Sequence, residues 1–227
     1  MTGARAGITE RELHILRWTA EQYAVPMAVV AELVLARCRV SPLDRRQPVS
    51  PASAPRLASR MAERLGELGY ADRRPAVGRW WLVPTRTGLR AAGLDYRVWD
   101  VAAHEWSLNH VILCARLRLH LERTYPDAWW ESDRAIRARR HGSGARVRLA
   151  DGGLEWPDGT AVGVELERYV KKPARYQGAV LDVDPAWTQG CWWFTPAEQV
   201  PLLTARLRDA GGGDRHQVYP LPPEVAL

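Results

Sequence analysis

The chain has 227 residues, of which 46% are hydrophobic and 26% charged, and its net charge is +6. A chain of this length and composition forms one large globular domain or two small ones, and these proportions exclude a disordered protein. No run of about 18 apolar residues occurs, and the N-terminal segment is too short and polar for a signal peptide. We therefore expect a cytoplasmic protein without a membrane partner.

The basic residues are divided unevenly between arginine and lysine. Lys171 and Lys172 are the only two lysines, and the other basic residues are arginines. A basic excess favours polyanionic partners such as nucleic acids. The three cysteines, Cys38, Cys114 and Cys191, form neither an even set nor a CxxC pair, which is typical of reduced thiols.

The first half of the chain predicts three helices, a hairpin and a fourth helix. Thr9 and Glu12 form a capping-box pattern at the start of the first helix. Pro26 is expected to open the second helix, and Ser53 to cap the third. Two short strands over about 70–74 and 79–83 follow. The third helix carries an apolar stripe at helical spacing, formed by Leu57, Met61, Leu65 and Leu68.

Three helices followed by a small basic hairpin is the order of a winged helix, a variant of the helix-turn-helix. Because arginines occur on both the third helix and the hairpin, we predict that this half binds double-stranded DNA. The start of the helix would contact base edges, and the hairpin arginines would contact phosphates. The alternative is a solvated helix face whose arginines pair with Glu63 and Glu67. The candidate DNA-binding residues are Arg56, Ser59, Arg60, Arg64, Arg73, Arg74 and Arg79.

The second half predicts an α/β domain with a mixed sheet, in the order helix, three strands, helix, strand, helix, strand. The predicted fold class is thus α+β / α/β, with a winged helix-turn-helix domain in residues 1–98 and an α/β domain in residues 99–227. The predicted elements are a helix over 104–123, strands over 129–137, 149–156 and 160–168, a helix over 173–183, a strand over 190–195, a helix over 196–210 and a strand over 216–219.

Three adjacent tryptophan pairs lie in strand-like segments of the two halves. Since successive strand residues face opposite sides, we expect one member of each pair in the core and the other against a helix or solvent. Core packing explains them better than base stacking. The pairs are Trp80-Trp81, Trp129-Trp130 and Trp192-Trp193.

The segment Pro157-Asp158-Gly159 predicts a three-residue hairpin loop in which Gly159 takes a positive φ. This assigns a turn role to Asp158 and sets the register of the flanking strands. Asp151 then lies opposite Glu165, and Gly153 lies opposite Gly163.

In that register, Asp151, Glu165 and Glu167 form a close cluster of carboxylates, beside glycines that leave open space. Such a cluster requires a cation, a proton or basic partners. Oxygen-only ligands suit Mg²⁺ or Mn²⁺, and no motif for an organic cofactor occurs. The alternative is a surface strand whose acids pair with arginines of the same region, namely Arg146, Arg148 and Arg168.

The order of elements, with Asp151 on the second strand and Glu165-Leu166-Glu167 on the third, resembles the PD-(D/E)XK nuclease fold. More narrowly, nearly the whole chain looks like the replication-relaxation family of bacterial mobile elements, which joins a winged helix to such a domain. The resemblance is carried by the stretches 130–134, 151–155 and 164–167, followed by Lys171, Pro173, Arg175 and Tyr176. The resemblance implies that Asp151 and Glu165 are metal ligands.

Two positions depart from the nuclease motif. Ala150 stands where the motif has proline, and Glu167 stands where it has the lysine that orients the attacking water. Lys171 or Lys172 would have to reach back to supply that charge. Two hypotheses remain open. The first is a non-catalytic DNA-binding regulator of replication, transfer or transcription, as a homodimer or with a partner protein of the mobile element. The second is a Mg²⁺-dependent endonuclease or nickase that uses Asp151, Glu165, Glu167 and Lys171 or Lys172.

Overall fold

The computed structural model describes residues 7–37, 49–140, 150–181 and 183–226. The chain forms two compact units, Met1–Ala115 and Arg116–Leu227. Their division falls later in the chain than the boundary expected after residue 98. Cys38 lies outside the described residues, as do Arg146 and Arg148, two of the predicted alternative partners for the acids.

The described residues of the first unit contain four complete α-helices, a short 3-10 helix over Ala102–Ser107, the start of a fifth α-helix and a small antiparallel sheet. The capping box at Thr9 and Glu12 is confirmed, since each side chain bonds the backbone N–H of the other. The elements are α1 (Glu10–Glu21), β1 (Val25–Pro26), α2 (Met27–Arg37), α3 (Ala54–Glu67), β2 (Ala71–Ala76), β3 (Arg79–Pro84) and α4 (Arg86–Ala91).

The sheet of the first unit contains a strand that the sequence did not predict. Val25 and Pro26 pair with Leu82 and Trp81, so the strand order is β1-β3-β2. Pro26 therefore ends a strand, and α2 begins one residue later. Proline fits this edge strand because it lacks the N–H that an inner strand must donate.

The predicted cap of α3 is wrong in its chemistry, although its position is right. Ser53 is the N-cap residue, but its side chain makes no capping bond. Its hydroxyl instead donates to the carbonyl oxygen of Ser50 at 3.0 Å. A serine side chain that closes the preceding turn is not available to the first N–H groups of the helix.

The second unit is built on a mixed five-stranded sheet in the order β4-β5-β6-β7-β8. The first two pairings are antiparallel and the last two are parallel. This arrangement confirms an α+β chain with a mixed sheet. The elements are α5 (Leu108–Thr124), which begins in the first unit, β4 (Trp129–Ser132), α6 (Asp133–Arg140), β5 (Gly152–Glu155), β6 (Ala161–Leu166), α7 (Ala174–Leu181), β7 (Cys191–Thr195), α8 (Val200–Asp209) and β8 (His216–Pro220).

The predicted β5–β6 hairpin is confirmed. Gly153 pairs with Gly163 and Glu155 with Ala161, as the loop length requires. Gly159 has a φ of 83°, and its N–H donates to the carbonyl oxygen of Trp156 at 2.9 Å. The Asp158 carboxylate accepts bonds from the side chain and backbone of Thr160, and these bonds lower its pKa. Asp158 therefore has the turn role assigned to it.

The strand predicted over residues 129–137 is wrong in its second half. The chain forms β4 only as far as Ser132 and then turns into α6. The Ser132 hydroxyl accepts the N–H of Ala135 at 3.2 Å, which caps the new helix. Arg137 pairs with Asp133 at 3.3 Å, one helical turn apart. Strand β4 therefore ends at Ser132, because this residue caps α6 and the residues after it favour a helix.

Two tryptophan pairs divide between core and surface as predicted. Trp81 is fully buried, whereas Trp80 is 51% exposed. Trp193 is buried, whereas Trp192 is half-buried and its ring centroid lies 5.4 Å from that of Tyr125.

None of the helices in the described ranges is long and apolar enough to cross a membrane.

Candidate functional sites

The exposed face of α3 carries arginines near its start. Arg56 and Arg60 are exposed, and Ser59 between them is half-buried. Within the part of the chain that the structure describes, no carboxylate forms an ion pair with Arg56 or Arg60. Their charges are therefore available to an anion in solution.

The predicted pairing of Glu63 and Glu67 with arginines of α3 is not found among the described residues. Glu63 instead lies 3.4 Å from the guanidinium of Arg73 on β2. This ion pair joins the hairpin to the exposed face of α3. Within the described residues, the arginines of α3 are therefore not paired with the glutamates Glu63 and Glu67 of the same helix.

Arg64 has a different setting from the other candidates on α3. Its Nε lies 2.9 Å from Oε1 of Glu12, and its guanidinium also donates to the carbonyl oxygen of Gly7. Glu12 is the buried carboxylate of the capping box. Arg64 thus ties α3 to the start of α1.

The hairpin contributes three further arginines. Arg74 pairs with Asp72 at 2.7 Å, and Arg73 lies over the ring of Trp80 at 5.4 Å from its centroid. Arg79 is exposed, and no ion pair to it is found among the described residues. We call Arg56, Arg60, Arg73, Arg74 and Arg79 the basic face.

In the second unit, the carboxylate of Glu167 is buried at the end of β6. Its Oε1 lies 3.0 Å from Nζ of Lys171, and its Oε2 accepts the hydroxyl of Tyr176 at 3.3 Å. The Tyr176 hydroxyl also accepts the N–H of Lys171 at 2.8 Å. A buried carboxylate needs such partners, because its charge is costly away from water. Lys171 therefore reaches back to the end of the strand, whereas no ion pair of Lys172 is found among the described residues.

Asp151 and Glu165 are close to Glu167 in the strand register, but each of the two has its own surroundings. Asp151 precedes β5, and its Oδ2 accepts the N–H of Leu166 at 2.8 Å, where the strand pairing ends. Glu165 is buried within β6, opposite Trp193 of β7.

The three carboxylates do not converge on one point. Among the described residues of 116–227, no three His, Cys, Asp or Glu side chains bring ligand atoms within 4.8 Å of one another. Ligands about 2.1 Å from a Mg²⁺ ion lie at most about 4.2 Å apart. The three predicted ligands therefore do not all contact one ion in this arrangement.

The open space expected beside the carboxylates is filled by indole rings. A Cβ on Gly153 would lie 2.2 Å from the ring of Trp187, and one on Gly152 would lie 1.9 Å from the ring of Trp130. A Cβ on Gly163 would lie 3.0 Å from the same Trp187 ring. These glycines are required for close packing of tryptophan against the sheet. The prediction that they leave room for a ligand is wrong.

The segment between β6 and α7 is held by residues that sequence reasoning missed. The side chain of Gln199 accepts the N–H of Val170 at 2.9 Å and donates to the carbonyl oxygen of Arg168 at 3.1 Å. Tyr176 was noted only as part of the family resemblance, although it bonds both Glu167 and the backbone of Lys171. No local pattern marks Gln199, because it lies a whole helix and strand further along the chain.

Comparison with models of protein families, with curated proteins and with solved structures gives no match for this chain. Evidence for the function of the two sites therefore comes from their own residues. The basic face offers exposed cations. The end of β6 offers a buried carboxylate that is paired with an ammonium and accepts a hydrogen bond from a phenol.

Proposed function

We propose that this chain is a DNA-binding protein of a bacterial mobile element or plasmid, in which α3 and the β2–β3 hairpin contact duplex DNA. The observation that carries the proposal is that Arg56, Arg60 and Arg79 are exposed without a carboxylate partner in the described ranges. Each guanidinium that meets a phosphate releases condensed counterions, and this release drives binding to nucleic acid.

The order α1-β1-α2-α3-β2-β3 supports a winged-helix interpretation of the first unit. In that arrangement α3 is the recognition helix and the hairpin is the wing. Arg56, Ser59 and Arg60, at the N-terminal half of α3, would face base edges. The hairpin arginines, Arg73, Arg74 and Arg79, would contact phosphates.

For the second unit we infer a nuclease-like fold that serves binding or dimerisation rather than cleavage. Three antiparallel strands followed by two parallel ones, with α7 and α8 as crossovers, agree with that fold. The pairing of Glu167 with Lys171 and Tyr176 favours a structural role for the residues at the motif position. The chain would then regulate replication, transfer or transcription, alone or with a partner protein.

The binding assay uses fluorescence anisotropy with a mixed-sequence duplex at several salt concentrations. The double variant Arg56→Ala/Arg60→Ala should bind at least tenfold more weakly than the wild type. Arg17→Ala is the matched control, because this arginine is exposed on α1 and pairs with Glu21 at 3.1 Å. An equal loss of binding free energy per arginine removed in the control and the double variant would show only a dependence on net charge, and absent binding would remove the proposal.

A nickase is the second candidate, favoured by one observation. Lys171 lies 3.0 Å from Glu167, close to where the nuclease motif places its lysine. Supercoiled plasmid with Mg²⁺ or Mn²⁺ tests this function, beside Asp151→Asn and Glu165→Gln. Nicking by the wild type that both substitutions abolish would establish the enzyme. We expect intact plasmid with every metal, since the carboxylates do not converge.

A further inference from the structure

The loop that joins β2 to β3 contains a residue in an unfavourable conformation. Ala76 pairs with Arg79, so the loop is only Val77 and Gly78, and their φ angles are 47° and 67°. Positive φ at both positions is the requirement of a type I′ turn, for which Asn-Gly is the usual sequence. A β-branched residue in the left-handed region is a rare exception. Valine at this position therefore needs an explanation other than turn formation.

Packing within the fold does not supply that explanation. Among the described residues, Tyr23 is the other non-glycine residue with a positive φ, at 69°. Tyr23 follows the C-cap of α1, and its ring packs 5.5 Å from that of Trp99. Val77, in contrast, is 57% exposed at the end of the hairpin. Its conformation holds an apolar side chain out in solvent.

Val77 belongs to a small apolar tip. Pro75 lies directly opposite Trp80 in the hairpin, and both are exposed. The guanidinium of Arg73 stacks on the Trp80 ring, while Arg74 and Arg79 lie on the same two strands. The hairpin thus combines an apolar tip with three nearby arginines. This combination is complementary to a polyanion that has flat apolar surfaces between its negative charges. Stacked base pairs between two phosphate backbones have that chemistry.

Building on the DNA-binding function proposed above, we propose that this tip wedges into duplex DNA. Val77 and Trp80 unstack a base step, and the flanking arginines hold the adjacent phosphates. The wing therefore deforms the duplex as well as contacting its backbone. Because unstacking a step untwists the duplex locally, each bound molecule unwinds the DNA.

Unwinding is measured on closed-circular plasmid that a type I topoisomerase relaxes in the presence of the full chain. After removal of the protein, the wild type should leave the plasmid with a lower linking number, in proportion to the protein bound. Val77→Asn and Trp80→Ala keep every arginine, so both should still bind DNA, and a gel shift gives the protein concentration at which each variant and the wild type are equally bound. Their linking-number change per bound molecule should fall by at least half.

Val98→Asn is the control, since Val98 is an exposed valine elsewhere in the same unit. It should leave both affinity and unwinding unchanged. Val77→Asn gives the sequence preferred in a type I′ turn, so its melting temperature should be no lower than that of the wild type. A bound wild type that leaves the linking number unchanged would overturn the wedge but keep DNA binding, as would equal unwinding by the two tip variants. A wild type that does not bind plasmid would remove the DNA-binding function and the wedge together.

Discussion

His216 is a buried imidazole whose surroundings favour its neutral form. Its Nδ1 accepts the indole N–H of Trp193 at 3.0 Å, which only an unprotonated Nδ1 can do. Burial, and then the charge of Arg215, lower the pKa of His216 below its ordinary value of 6.5. As the pH falls below 6.5, the unfolded chain therefore takes up this proton before the folded chain does.

Acidification should accordingly destabilise the second unit. We predict that its free energy of unfolding decreases as the pH falls from 6.5 toward the lower pKa of folded His216. Gln at this position can still accept the indole N–H but does not titrate, so His216→Gln should flatten the dependence. Urea unfolding at a series of pH values measures both slopes. Equal slopes for variant and wild type would contradict the assignment.

Gly153 shows why the site was only partly predictable at the level of residues. The pairing of Gly153 with Gly163 follows from the loop length, which is local information. The ring that covers both glycines belongs to Trp187, which reaches them only through the fold. Sequence spacing identifies the face of a strand but not the side chain that packs on it.

Substitution of Gly153 should therefore be destabilising. Gly153→Ala would place a Cβ 2.2 Å from the buried Trp187 ring. The free energy of unfolding should fall by about 1–3 kcal/mol or more, since a close-packed core resists added volume. At Gly66 in α3 the nearest atom would be 3.6 Å away, so Gly66→Ala should be neutral or stabilising by up to about 1 kcal/mol. Denaturant unfolding of both variants provides the comparison, and a fully stable Gly153→Ala would show that the indole can move aside.

At the scale of elements, the turn between β6 and α7 is stabilised by the Glu167 carboxylate and its two partners. The adjacent lysines there are not equivalent. Both lysines are exposed, but Lys171 contacts the buried Glu167, whereas Lys172 has no ion pair among the described residues. The sequence marked both lysines as unusual, but only the structure separates their roles.

This difference predicts unequal effects of two neighbouring substitutions. Lys171→Ala would leave the Glu167 charge with Tyr176 alone and should lower the free energy of unfolding by roughly 1–2 kcal/mol. This value lies below that for a fully buried pair, because the Lys171 side chain is 43% exposed. Lys172→Ala should change it by less than about 0.5 kcal/mol. Thermal or urea unfolding measures both, and equal effects would contradict the structural role of Lys171.

Elements with a strong local signal were predicted well, and those without one were not. The β5–β6 hairpin follows from its Pro-Asp-Gly loop and flanking strands. β1 has only two residues, too few for any periodicity, and it exists because β3 pairs with it. The Trp129-Trp130 pair suggested a longer strand, but the Ser132 cap and the following Arg- and Ala-rich residues form α6 instead.

At the scale of the whole molecule, the two units combine different chemistry on one chain. The first unit presents the exposed cations of the basic face. In the second unit, Glu167 is already paired and its carboxylate neighbours do not converge. The proposed DNA recognition rests on the cations of the first unit. The positive charge of the chain was evident from composition, but which arginines have a carboxylate partner depends on contacts such as that of Arg64 with Glu12.

The decisive measurement is the salt dependence of DNA binding. The slope of log affinity against log salt reports the number of phosphate contacts, at about 0.9 per contact for duplex DNA. We predict a steep slope for the wild type. It should become shallower by about one unit for Arg79→Ala and remain unchanged for Arg17→Ala. A slope near zero for the wild type, or an equal change in both variants, would contradict a DNA interface on α3 and the hairpin.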